Sequence, residues 1–384
     1  MGASEKPFDV VQLSTVHPPR DVRIFQKISR SLADAGYRTM FVVRDDADTL
    51  DSGVSIKALP RNVGRFGRMF GLTFRAFREA LRSGAPVVHF HDPELMPIGI
   101  VLKLLGKTVI YDAHEDHHRT IATKYYLPTY VRIVAARGIW ILEWITARTV
   151  DRVIAATPTI AKRFPAGKTV IVQNYPRMNE LALDEGERRN DEATVVYVGA
   201  VTPERGGVEM TKAVNLVDPT YNLTLRIAGE VVPESHYRQL IEIDKNKRLD
   251  LLGHSNRAVV REMMRSARAG LVTLHPHPNY VNALATKMFE YMSAGVPVIA
   301  SNFPLWRQIL QSTGAGLVVD PLKPEEIRQA IEYVLSHPEE ARSMGERGRA
   351  AVRERFNWEI EERKLLNVYA GLNCFRRTNK GIEN

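Results

Sequence analysis

The sequence predicts an α/β protein of two Rossmann-like, doubly wound domains that face each other across a cleft. Three observations carry this expectation. Short β-branched apolar runs alternate with stretches of helical periodicity over most of the chain, the pattern of a parallel sheet covered on both faces. A polar, charged interval near the middle separates two such series. The chain's 384 residues suit two ordinary domains, and 44% hydrophobic with 25% charged residues is a balance that fills sizeable cores. That composition excludes a disordered, collagen-like or coiled-coil chain.

The first strand is Phe8–Leu13, followed by a loop, Ser14–Asp21. From about Asp21 to Ala35, Val22, Phe25, Ile28 and Leu32 recur at spacings of three and four, which marks a helix. Gly36 closes it as a C-cap. Thr39–Val43 is the next strand. The unit recurs as a strand at Val87–Phe90, a helix at Pro97–Leu105 closed by Gly106, and a strand at Thr108–Tyr111. A long helical region, about Thr129–Thr149, leads to strands at Arg152–Ala156 and Thr169–Val172. The expected N-terminal domain therefore covers residues 1–175, and the polar stretch 176–193 is the expected linker. The second domain, 194–356, has strands at Thr194–Tyr197, Asn222–Ala228, Leu249–Leu252, Ala269–Thr273, Val298–Ala300 and Gly316–Val319, then helices at Pro324–Ser336 and Pro338–Glu354. Residues 357–384 hold a last helix, Trp358–Gly371, and a tail expected to pack back towards the N-terminal domain. In open sheets of this kind ligands bind outside the carboxyl ends of the strands.

Lys and Arg number 53 against 44 Asp and Glu, a net charge of +9 that favours an anionic partner. A phosphorylated substrate, a nucleic acid or a membrane surface would each answer. The chain has no recognised nucleic-acid motif and no basic–aromatic run on a sheet, so no nucleic acid is expected. The single Cys374 excludes an internal disulfide and a cysteine-built metal site. The N-terminal stretch lacks signal-peptide features, and no apolar run approaches the ~20 residues that cross a bilayer. The expectation is a cytoplasmic chain, at most peripheral on the inner face of the plasma membrane. The segment for such contact is Lys57–Arg82, with seven basic residues and one acid. Phe66, Phe70, Phe74, Phe77 and Leu81 fall on one helical face, and Arg68, Arg75, Arg78 and Arg82 on the other. An interfacial helix on anionic lipid and a core-facing helix with a solvated basic face both fit that pattern.

In the second half, Ala283–Ser301 reads as a helix, with Thr286 placed to cap it, running into a strand. Lys287 and Glu290 stand three apart and share a face. A carboxylate there can accept from the two hydroxyls of a ribose, while Lys287 and the helix N-terminus offer positive charge to a diphosphate. A solvated Lys/Glu pair on an ordinary helix fits the same spacing.

The stretch ALATKMFEYMSAGVPVIAS resembles the nucleotide-sugar motif of retaining glycosyltransferases with the GT-B fold, specifically glycosyltransferase family 4. The resemblance implies that Glu290 holds the donor ribose. It places Asn282 where the family has a second Glu beside the donor hexose. VVYVGAVTPERGG resembles the loop that grips the diphosphate, with Ala200 in place of an Arg and Arg205-Gly206 in place of Lys-Gly. LRIAGE, with Gly229 and Glu230, resembles the strand end at which the chain approaches the phosphates. LLGHSN resembles the one that meets the nucleobase, where His254 is either structural or in contact with the ligand. In the first half, STVHPPRDVR, HFHDPEL and VIYDAHED resemble successive strand ends of bacterial polysaccharide members. These put His114 at the catalytic position and His17, Asp21, His91, Asp92 and Glu94 on the acceptor side. Together the landmarks span about Ser14 to Trp358.

The resemblance therefore implies transfer of a hexose from a nucleoside diphosphate sugar, UDP-linked in preference to GDP-linked, to a hydroxyl of a lipid-linked glycan. Configuration would be retained, with His114, Asn282 and Arg205 catalytic. The nucleotide sugar is a substrate, and no cofactor is implied. Asp46-Ala47-Asp48 has the DxD form that holds a metal in other sugar transferases, but it lies in a hydrophilic loop, and no metal is assigned. The rival readings are an epimerase or hydrolase of the same fold, a basic nucleic-acid-binding protein, and an inactive partner subunit prompted by Ala200 and Asn282.

Overall fold

The computed structural model describes residues 7–61, 64, 67–114, 128–178, 180, 181, 183 and 193–375. Glu115, Asp116, Phe66 and most of the expected linker lie outside the described residues. The chain forms two units, Met1–Asn174 with Ile360–Asn384, and Tyr175–Glu359.

The first unit is built on eight strands: β1 Val10–Leu13, β2 Thr39–Arg44, β3 Thr49–Asp51, β4 Val54–Leu59, β5 Val87–Phe90, β6 Thr108–Ala113, β7 Arg152–Ala155 and β8 Thr169–Ile171. Their order is β3-β4-β2-β1-β5-β6-β7-β8. Every pairing is parallel except β3 with β4. The residues of β1 and β5 are all buried, which is why these strands read as unbroken runs instead of alternating ones. In register, Val10 of β1 lies between Thr39 and Val87. The strand order reverses between β1 and β5, so the loops after those strands part and leave a crevice at their carboxyl ends.

Two features of this unit differ from the expectation. The polar stretch after β2 reads as loop but folds into the β3–β4 hairpin. Ser52 and Gly53 both take positive φ, 49° and 75°, as a two-residue hairpin turn requires. Lys57 accordingly lies on β4, where it pairs with Asp48. Next, the helix Thr73–Arg82, entered through a π-wound stretch Gly67–Leu72, buries Thr73, Ala76 and Ala80. Its small residues allow close approach to the sheet, and Phe70, Phe74 and Leu81 are left exposed. Of the stripe, Phe77 packs against the core, while Phe70, Phe74 and Leu81 do not.

The helix after β1 is wound with i→i−5 bonds over Val22–Ser29 and continues in α form over Arg30–Asp34. It buries Ile24, Phe25 and Ile28 together with two cations one turn apart, Arg23 and Lys27. Lys27 Nζ donates to Asn174 Oδ1 at 2.7 Å. The helix Trp358–Ala370 delivers Tyr369 beneath β1 and β5, where its hydroxyl meets Gln12 Nε2 at 3.2 Å and His89 Nδ1 at 2.8 Å.

The second unit has six parallel strands: β9 Thr194–Val198, β10 Thr224–Ala228, β11 Leu249–Gly253, β12 Ala267–Val272, β13 Val298–Ser301 and β14 Gly316–Val319. The order β11-β10-β9-β12-β13-β14 puts the reversal between β9 and β12. Helices Gly207–Leu216, Thr286–Ser293 and Pro324–Ser336 cover the sheet with apolar faces that bury Met210, Val214, Met288, Phe289, Ile327 and Ile331. Tyr291 is buried under β9, and its hydroxyl accepts from Val198 N at 2.9 Å.

Candidate functional site

The crevice of the first unit is lined by an internal network. Asp21 Oδ1 accepts from the backbone N–H groups of Arg23 and Ile24, 2.8 Å each, and so starts the helix that carries Arg23 inward. Arg23 grips Asp112 of β6 in a two-pronged pair, Nη2–Oδ1 2.6 Å and Nε–Oδ2 2.8 Å, both residues being buried. His91 Nδ1 lies 2.9 Å from the same carboxylate, and its Nε2 lies 2.7 Å from Gln12 Oε1. Asp92 takes a hydrogen bond from Ser14 Oγ at 2.9 Å, another from Thr15 N, and lies 2.9 Å from His17 Nδ1. Glu94 Oε1 accepts from Thr15 Oγ1 at 2.6 Å.

His17 and His114 stand at the open end of this network. Their Nε2 atoms are 3.3 Å apart. One must donate and the other accept, so the contact can pass a proton between the rings. Behind them, His17 is oriented by Asp92 and His114 by Asp112, whose Oδ2 is 3.4 Å from His114 Nδ1.

Burial alone would raise the Asp92 and Asp112 carboxyls. His17 and the Thr15 and Ser14 donors outweigh it at Asp92, and Arg23 with the histidines outweighs it at Asp112, so both are held well below the usual carboxylate range. Burial pushes the His91 imidazole down, and that of His89 well down. His89, His91 and Asp112 are close enough to share an ion. Asp112 already carries Arg23, however, and both ring nitrogens of His91 are engaged, so the donor set does not fit a metal.

At the reversal in the second unit the balance is cationic. Gly206 (φ 76°) turns the chain so tightly after β9 that a Cβ there would lie 2.2 Å from Thr273 O. A Cβ on Gly229 would lie 2.0 Å from Gly199 O. These glycines bring bare backbone to the strand ends. Arg205 Nη1 donates to Ala200 O at 2.9 Å, and Tyr197 OH bonds to the same carbonyl at 3.2 Å. Lys287 Nζ sits 3.7 Å over the Tyr197 ring. Neither Arg205 nor Lys287 has a direct ion pair among the described residues. Burial and the nearby Arg205 push the Lys287 ammonium well below its usual range, and Glu290 offsets this only in part. The buried Thr273 hydroxyl has no hydrogen-bond partner. The cluster is thus short of negative charge and of acceptors, and it can take a phosphate group at the strand ends.

Several expected site residues lie elsewhere than expected. His91 and Asp92 are buried in the network, not at the mouth, because each is held by internal partners. Asp21 is a helix cap. Thr286 does not cap its helix; the N-cap position is Ala285, with no side-chain bond. Glu290 is 6% exposed and bonded to Arg257 Nη1 at 2.9 Å, while Arg257 Nε reaches Glu180 Oε1 at 2.9 Å. Glu230, His254 and Asn282 are exposed. Asp46 and Asp48 of the DxD sequence pair with Arg61 and Lys57. Arg257, Tyr197, Thr273 and Tyr369 were not anticipated. Only Asp112 carried a sequence signal, as a carboxylate inside an apolar strand run.

A family model described as Glycosyl transferases group 1 matches residues 178–351, and one described as Glycosyltransferase Family 4 matches residues 22–172. The chain belongs with the family 4-like glycosyltransferases of GT-B fold. Among relatives of this transferase, the D-rhamnosyltransferase WbpZ of Pseudomonas aeruginosa is 24% identical over 307 residues, 74% of this chain and 72% of that one. An uncharacterized glycosyltransferase of Methanocaldococcus jannaschii is 22% identical over 182 residues, 47% of this chain, and the match spans 45% of that relative's length. The fold of HepE of Anabaena, solved in complex with UDP and glucose, superposes with a TM-score of 0.74 at 13% identity, covering 95% of this chain and all of the other.

Proposed function

We propose that this glycosyltransferase moves a hexose, with retention of configuration, from a nucleoside diphosphate sugar to a hydroxyl of a lipid-linked glycan in cell-surface polysaccharide assembly. A UDP-sugar is favoured and a GDP-sugar is the alternative donor. The observation that carries the reading is the pair of cations, Arg205 and Lys287, beside the bare backbone at Gly206 and Gly229. A diphosphate supplies negative charge and several acceptor oxygens to donors that no ion pair among the described residues engages. The bond from the sugar's anomeric carbon to the diphosphate breaks, the acceptor oxygen takes its place on that carbon, and the diphosphate departs with the electron pair. Arg205 and Lys287 stabilise the charge that develops there. The acceptor's proton goes to the leaving phosphate. Glu290 and Asn282 serve the ribose and the hexose. No step uses a metal, and the reaction takes place on the cytoplasmic side.

The names of the relatives support a sugar donor, and the HepE complex supports a nucleotide on this fold. Incubation with UDP-glucose or GDP-mannose, with and without a glycan-lipid acceptor extract, tests the proposal. Acceptor-dependent release of nucleoside diphosphate in the presence of excess chelator is expected. Release that needs no acceptor would instead make the protein a hydrolase or epimerase.

A further inference from the structure

The helix Thr129–Thr149 packs Ile139 and Leu142 on the core yet leaves most of its large apolar side chains uncovered. It buries Glu143, Thr146 and Ala147 and turns Tyr130, Val134, Trp140, Ile141, Trp144 and Ile145 to the outside. Tyr130 and Val134 are 72% and 69% exposed, and Trp140 and Trp144 about half. The face continues sideways. Helix Met96–Leu104 packs against Thr129–Thr149 and against Thr73–Arg82. It adds exposed Val101 and Leu104, with Leu105 just past its end, and the third helix adds Phe74, with Phe70 in the stretch that leads into it. So many exposed large apolar residues on three helices packed side by side mark an interaction site.

Its charge identifies the partner. These three helices carry two acids, Glu143 and Glu79. Glu143 is buried and paired with Arg163, and Glu79 pairs with Arg82. Arg75, Arg78, Arg137 and Arg148 are exposed among the apolar residues. Arg148 lies over the Trp144 ring at 3.8 Å, joining a cation to an aromatic ring as at a membrane interface. A second copy of the chain would bring the same arginines face to face. No helix is long and apolar enough to cross a membrane among the described residues, so such a face would lie along the bilayer and not span it.

We propose that the exposed face of Thr129–Thr149, flanked by Leu104 and Phe74, docks on the surface of an anionic lipid bilayer, with Trp140, Trp144 and Ile141 entering the headgroup–acyl boundary. This goes beyond the transfer reaction, and its test does not depend on it. The full chain is sedimented with vesicles of phosphatidylglycerol and phosphatidylcholine, while nucleoside diphosphate binding is followed separately by calorimetry. Binding is expected to weaken at least tenfold in Ile141→Glu/Trp144→Glu, with nucleotide affinity kept within twofold. Tyr130→Glu/Val134→Glu, at the other end of the helix, should behave alike and guards against a misfolded variant. In the parent, tryptophan emission should shift to the blue and be quenched by brominated lipid. A parent chain that stays in the supernatant at low salt overturns the proposal. So does complete release by high salt with no spectral shift, which would leave charge alone holding the protein. A lipid-free dimer dissociated by Ile141→Glu would give the face to a second copy.

Discussion

The carboxyl ends of β1 and β5 and those of β9 and β12 occupy the same place in two sheets of like topology, yet they are furnished in opposite ways. At the crevice of the first unit the charges sit against opposite partners: Arg23 on Asp112, and Asp92 against His17. In the second, Arg205 and Lys287 are held by a carbonyl and an aromatic ring, with no direct ion pair among the described residues. A compensated network is stiff and holds its histidines in one orientation, which suits proton handling. An uncompensated one is costly until an anion arrives, which suits binding. One architecture thus presents two different chemistries through the side chains placed at its crevice.

The comparison breaks most visibly if the compensation is removed. Asp112→Ala leaves Arg23 buried without its partner, and the first unit is expected to lose about 3–5 kcal/mol in denaturant unfolding. A loss below about 1 kcal/mol would show that the network is not tightly coupled. Acid should act on the same unit. His89 and His91 have folded pKa values below their unfolded ones, so the unfolded chain binds more protons below about pH 6.5 and stability falls as pH falls through that window. At pH 5.5 the cost is at most about 1.4 kcal/mol for each imidazole, about 2.8 for both. A thermal melt of the first unit that is flat from pH 7.5 to 5.5 would contradict this.

Sharper tests lie in the second unit. Arg205→Ala should weaken nucleoside diphosphate binding by about 2 kcal/mol, roughly thirtyfold, and leave nucleoside binding unchanged. Equal losses for both ligands would move Arg205 away from the phosphates. Glu290→Ala should cost about 1.5 kcal/mol of nucleoside affinity, roughly tenfold. If it lowers only the melting temperature, Glu290 serves the Arg257 pair and not a ribose.

Strand and helix identities were legible wherever burial on both faces produced unbroken apolar runs, as at Val87–Phe90 and Val298–Ala300. Strand β3 was hidden because an exposed edge strand needs no apolar pattern, and the turn that joins it to β4, Asp51-Ser52-Gly53, has a sequence common in loops. Arg205 and Gly206 could be found because they share one loop at a strand end, and Lys287 because it stands one turn from Glu290 on a helix. The Glu290–Arg257 and Arg23–Asp112 pairs could not, since only the tertiary fold brings their members into contact. The outward face of Thr129–Thr149 was missed for a different reason. Periodicity shows that a helix has an apolar stripe, not which side the protein covers.

Tyr369 has a consequence for the order in which this protein can come into being. It completes the polar floor under β1 and β5, but it is synthesised only after the whole of the second unit. The strands of the first unit are therefore complete on the ribosome well before the residue that satisfies Gln12 and His89. At ~5–20 residues per second the interval is on the order of ten seconds or more. During that interval the nascent first unit holds two buried polar groups whose partner does not yet exist, and a chaperone has its longest opportunity there.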